Sequence, residues 1–175
     1  LLLSSSLAQA DETAMWGGSP SRNQVSAAKN LPTFWDAETG VNIKWTAELG
    51  SQTYGGPLIV DDKIIVGTNN QAERNPAHRG DRGVVMAFNR ADGTFLWQIA
   101  HPKLPAGRVN DWPQQGVCST PYAEGDRLYY ISNQAEMVAL DTEGFLDGEN
   151  DGPITDEEST KPIDADVIWT FDMIA

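Results

Sequence analysis

The chain has 175 residues, of which 40% are hydrophobic and 21% charged, and its six Trp, five Phe and four Tyr exclude a chain that never packs. A single cysteine excludes a disulfide scaffold, and the net charge of -13 makes nucleic acid a poor partner. No apolar run reaches the roughly 18 residues of a membrane-spanning helix.

Taken from the start, Leu1 to Ala10 reads as the end of a secretory signal. An apolar stretch leads to small residues in an Ala-x-Ala pattern at Ala8-Gln9-Ala10. Export to a periplasm or the cell exterior is the expectation. No Cys follows the cleavage pattern, so a lipid anchor of the bacterial lipoprotein type is not expected. Residues 11–33 are a lead-in, with room for a turn or two of helix at 22–30, and 34–175 carry the folded repeats.

Those repeats are visible without gaps. Pro57 to Asn69 superimposes on Pro121 to Asn133, with Asp62 on Asp126 and Lys63 on Arg127. Each copy is two short apolar runs around a polar turn, the pattern of a β-hairpin. A third strand follows, Val85 to Asn89 in one copy and Met137 to Asp141 in the other. Next come a Gly turn, at Gly93 and Gly144, and a fourth strand centred on Trp97 or Trp169. Upstream, Asp36 to Gly40 and then Trp45 supply part of another copy. The expected fold is all-β: a partial β-propeller with about two complete four-stranded antiparallel blades, near 55–100 and 118–172, plus part of another. A closed ring takes roughly four to eight blades, so the sequence is expected to be a piece of a longer protein.

Asp36-Ala-Glu-Thr-Gly40 with Lys44-Trp45, the looser copy from Asn89 to Trp97, and Ala139-Leu-Asp141-Thr-Glu-Gly144 resemble the Ala-x-Asp-x-x-Thr-Gly-x-x-x-Trp repeat of PQQ-like (quinoprotein-type) β-propellers. The lead-in Trp16 to Asn23 resembles that of secreted members. The resemblance implies that Trp45, Trp97 and Trp169 are structural, each packed between blades over a Gly turn. Some members of this family are quinone-free platforms, among them the outer-membrane barrel-assembly factor, and others are dehydrogenases holding PQQ, calcium and a pair of adjacent cysteines. Here Cys118 stands alone. The reading is therefore an exported, non-catalytic binding or scaffold module with a protein or carbohydrate ligand. The alternative is a PQQ- and calcium-dependent dehydrogenase oxidising an alcohol or sugar, with its catalytic residues beyond 175.

Three loops carry the remaining chemistry. Residues 111–175 hold fifteen acids and two bases, while 1–110 are balanced. Within the acidic part, Asp147 to Glu158 has the spacing of a twelve-residue calcium loop. Asp147, Glu149 and Asp151 stand at positions 1, 3 and 5, Pro153 offers a carbonyl at 7, Thr155 sits at 9, and Glu158 is the bidentate candidate at 12. Equally, Asp, Asn, Gly and Pro build solvated turns without an ion. The polar loop 70–83, with Arg74, His78, Arg79 and Arg82, could receive an anion or the acidic loop of a neighbouring blade. The connection with His101, Arg108, Asp111 and Trp112 could bind sugar or quinone.

Overall fold

Short β-branched and aromatic runs between tight turns pair as antiparallel ladders, and they do so here. The structure, a computed structural model, describes residues 14–105 and 111–174, so the signal-like segment 1–10 lies outside the described residues. The first sheet contains β1 (Leu58–Val60), β2 (Lys63–Asn69), β3 (Arg82–Asn89) and β4 (Phe95–Pro102). In the second are β5 (Tyr122–Glu124), β6 (Arg127–Ile131), β7 (Glu136–Asp141) and β8 (Val167–Asp172). Each is an antiparallel meander in chain order, as expected of two propeller blades.

The repeat holds at the level of single rungs. Leu58, Ile65, Ala87 and Trp97 form one row across the first blade, and Tyr122, Tyr129, Ala139 and Trp169 form the same row in the second. The β1–β2 turn places Asp61 at φ +47°, and its counterpart Gly125 takes φ +59°. Both blades shift register at one equivalent point, between Ala87 and Phe88 and between Ala139 and Leu140. That irregularity turns the following Trp onto the face shared with its row.

Burial follows from the stacking of the blades. The row of the first blade packs against the opposite face of the second, where Ala123, Leu128, Tyr130, Val138 and Leu140 complete one core. A second core joins Val66, Val84, Met86 and Phe88 to Trp45, Ala47 and Leu49 of the upstream copy. Residues 42–49 dock there in extended form without pairing as a strand, and their only ladder contact is the bridge from Asp36 to Val41. The helix allowed for at 22–30 is not formed. Arg22, Gln24 and Asn30 all have positive φ, and the segment offers no periodic apolar face to bury.

Two indoles fasten these seams identically. Trp45 Nε1 donates to Arg90 O at 3.0 Å, and Trp97 Nε1 donates to Thr142 O at 3.0 Å. Each ring lies against a Gly turn. A Cβ on Gly93 would stand 2.6 Å from the Trp45 ring, and one on Gly144 would stand 3.1 Å from Trp97 and 2.9 Å from Asp164 O. Glycine is required at both positions for space as well as for positive φ. Trp45 and Trp97 are thus structural, as the resemblance implied. Trp169 lies half-buried against Tyr129, with ring centroids 6.0 Å apart.

Candidate functional site

The acidic connection between β7 and β8 is a clamp across both blades. Gln98 N donates to Ile163 O at 2.9 Å, and Ala165 N donates to Gln98 O at 3.0 Å. Residues 163–165 thereby lie parallel along β4, with Gln98 paired to Asp164, and cover that open edge. Asp164 is buried and satisfied. It accepts from Asn75 Nδ2 at 2.9 Å, from Ser159 Oγ at 2.5 Å and from Lys161 N at 3.3 Å. The loop after β2 does meet the acidic loop of the neighbouring blade, but through Asn75 and not through its basic residues.

Those basic residues do not converge. The Arg74 guanidinium lies over Phe88 and Phe95, 5.3 and 4.9 Å from the ring centroids, and donates to Glu48 O at 2.5 Å. Arg79 is 3.9 Å from Glu73, and Arg82 Nε bonds Arg79 O at 3.1 Å. The ligand of the strand edge, Asn75, escaped the sequence reading because a lone Asn after Arg74 carries no signal until the insertion folds back onto it.

Nor does the loop 147–158 gather its predicted ligands. Among the described residues no group of three or more His, Cys, Asp or Glu side chains is placed to hold a metal ion. Asp147 Oδ1 accepts from Glu149 N at 2.9 Å, a local turn, while Asp151 N donates to Asp166 Oδ2 at 2.7 Å. The positive charge beside Asp151 is Arg127. Its Nη1 stands 2.7 Å from Asp141 Oδ2, 3.3 Å from Asp126 Oδ2 and 3.6 Å from Asp151 Oδ2. Asp166, buried behind them, has its pKa raised to about 6, first by desolvation and then by Glu157, Asp141 and Asp151. Burial also raises Asp141, against the pull of Arg127.

A guanidinium shared by three carboxylates leaves little for calcium to add. Chelator and excess calcium are therefore expected to give melting temperatures within about 2 °C of each other, less than roughly 1 kcal/mol at this chain length. A calcium-dependent rise of more than about 4 °C, lost in Asp147→Ala and Glu158→Ala, would restore the ion. Arg127→Met is expected to cost about 1–3 kcal/mol, read from urea unfolding, because Asp141 stays buried without its partner.

Of the residues predicted on the connection after β4, His101 ends that strand and is buried. Its Nε2 is 2.7 Å from Tyr130 Oη across the seam. Burial holds its pKa at about 4, so the ring is neutral near pH 7. Asp111 is buried too. It pairs with Lys103 Nζ, accepts from Leu104 N at 2.7 Å and accepts from Asn133 Nδ2 at 3.2 Å. Trp112 is exposed, and Arg108 lies outside the described residues. The four do not form one site.

Asp111 lines a groove of about 300 Å³ with Gln115, Cys118, Ser119, Ser132 and Asn133. Burial pushes the Cys118 thiol up, which keeps it protonated and a weak nucleophile. The one carboxylate in this groove is already engaged by Lys103, Leu104 and Asn133, so the donor set does not fit a quinone held beside calcium. A second groove, of about 500 Å³, runs between the lead-in and the starts of β1 and β5, from Trp16 to Gly56, Pro57 and Thr120. Ala123 N, bonded to Ala14 O at 2.7 Å, anchors the lead-in there. Around the molecule Trp16, Phe34, Trp35, Tyr54 and Trp112 are each more than half exposed.

Comparison with known proteins agrees with this architecture. A family model described as the outer membrane protein assembly factor BamB matches residues 6–105 and 81–145. A search of curated proteins gave no match. The matched span takes in the upstream copy, the whole first blade and three strands of the second, so the chain belongs to the PQQ-like β-propeller repeat family that includes the assembly factor BamB.

Proposed function

We propose that the protein is an exported, non-catalytic binding platform whose ligand is another protein, as the name of its family suggests. The observation that carries this reading is the fate of its buried ionisable groups. Lys63 ties the blades together through Glu143 at 2.6 Å, beside Asp62 at 2.7 Å. Lys103, Asp111, His101, Arg127 and Asp164 are engaged in the same structural manner, pinning loops and seams. Apolar side chains meanwhile stand out on rigid sheets and anchored loops, where a partner gains area at little cost in ordering. No helix among the described residues is long and apolar enough to cross a membrane. Export is supported by the Ala8-Gln9-Ala10 pattern and the family.

Quinone reconstitution tests the reading against the dehydrogenase alternative. Dialysed against PQQ and calcium, the protein is expected to retain no quinone and to reduce no dye with alcohols or sugars. Stoichiometric retention with turnover would overturn the platform. Pull-down on a purified outer-membrane barrel-assembly complex tests the partner class. Retention is expected, weakened about tenfold or more in Trp16→Ala or Trp112→Ala if either aromatic is an anchor.

A further inference from the structure

We propose that a second copy of this chain docks on the outer face of the second blade, with Trp169 of one copy seated on the Gly40 turn of the other. The idea goes beyond the platform reading and does not depend on it.

Three turns of the molecule share one design. Asp36 Oδ1 accepts from Glu38 N at 2.8 Å, Asn89 Oδ1 from Ala91 N at 2.8 Å, and Asp141 Oδ1 from Glu143 N at 2.6 Å. Each then reaches a glycine of positive φ: Gly40 at +74°, Gly93 at +76° and Gly144 at +56°. At Gly93 and Gly144 the space a Cβ would need is filled by an indole. At Gly40 nothing lies within 4 Å.

The complementary vacancy is at the other end of the arc. Trp169 occupies the row position of Trp97, yet among the described residues no carbonyl accepts its indole N–H. Arg90 and Thr142, the acceptors at the two formed seams, directly follow Asn89 and Asp141. Ala37 follows Asp36 in the same way, so its carbonyl is the matching acceptor.

The surroundings also match. Leu31, Phe34, Trp35 and Val41 are exposed around the Gly40 turn. Tyr122, Met137 and Phe171 are exposed around Trp169, beside an apolar groove of about 410 Å³. Apolar patches of this kind on both sides mark an interface. The occupant is a copy of this chain because the vacant turn has the same design as the two that already hold an indole. Such a contact is heterologous, so copies add head to tail until the ring closes.

Sedimentation velocity on the whole chain is the test. Assembly is expected to grow between about 1 and 100 µM, the weak end for a seam of this kind. Trp169→Ala and Gly40→Asn should each weaken association about thirtyfold or more. Asn tolerates positive φ and meets no neighbour at position 40, so that variant should melt like the wild type. Gly93→Asn, driven into Trp45, should not. Mixed in equal amounts, Trp169→Ala and Gly40→Asn each retain the half that the other lacks, and should form a discrete heterodimer. A wild-type monomer at about 100 µM, assembly indifferent to both variants, or a mixture that does not pair would each overturn the proposal.

Discussion

Trp97→Ala is expected to lower the unfolding free energy by about 3–5 kcal/mol, the range for deleting a fully buried large aromatic. The ring is sealed between its own row and the turn at Gly144, so its removal opens a cavity that two backbones cannot close. Thr142 O also loses its donor inside the seam. Blades bury their faces only against one another, so damage at this joint is shared by both sheets. Trp97→Phe should recover much of the packing and leave a deficit of about 1–2 kcal/mol for the lost N–H donor. Trp45→Ala should cost less than Trp97→Ala, because that ring is only half-buried. Urea unfolding followed by far-ultraviolet circular dichroism reads all three. A Trp97→Ala midpoint within about 1 kcal/mol of wild type would mean that the seam does not depend on the indole.

The legible part of this fold was whatever recurs. A row position must be apolar to sit in a seam, the turn after β3 must carry Gly to admit an indole, and an Asx turn must begin it. These constraints act once per blade, so they leave aligned traces at Lys63 and Arg127, at Gly93 and Gly144, and at Trp97 and Trp169. The upstream copy shows where the pattern misleads. Asp36 to Trp45 carries the strongest match to the repeat, yet 42–49 docks without a ladder of its own. Sequence pattern records the face that is buried, whereas a strand also needs a neighbour in register.

Long-range pairs within the candidate sites were not legible. His101 with Tyr130, Lys103 with Asp111, and Asn75 with Asp164 each join elements whose approach depends on how two insertions fold back. Nothing local distinguishes Asp164 as the buried one among ten acids between Asp141 and Asp166. The calcium spacing at 147–158 shows the converse. Local spacing places carboxylates at alternating positions, but β8 then draws Asp151 toward Asp166, and Arg127 reaches in from β6. The partner of a charge is decided by the sheets that carry it.

Acid titration should separate two buried groups of opposite sign. His101 has a folded pKa of about 4 against roughly 6.5 unfolded, so the unfolded chain binds more protons between those values. Its contribution is whole above pH 6.5 and falls by about 3 kcal/mol as pH drops through 4. Asp166 has a folded pKa of about 6 against roughly 3.9 unfolded, so here the native state binds more protons. Its contribution is whole below about pH 4 and is lost, by a similar amount, as pH rises through 6. In the wild type the two nearly offset each other across this window. Asp166→Asn removes one of them while its side-chain oxygen can still accept from Asp151 N. That variant should be more stable than wild type by about 1–3 kcal/mol at pH 7, with the difference shrinking toward pH 4. Its own stability should then fall steeply with acid, because the histidine acts unopposed. Urea midpoints at pH 4, 5, 6 and 7 check this. Parallel curves for variant and wild type would show that Asp166 holds no extra proton in the native state, and would move the origin of any acid response away from the acidic clamp.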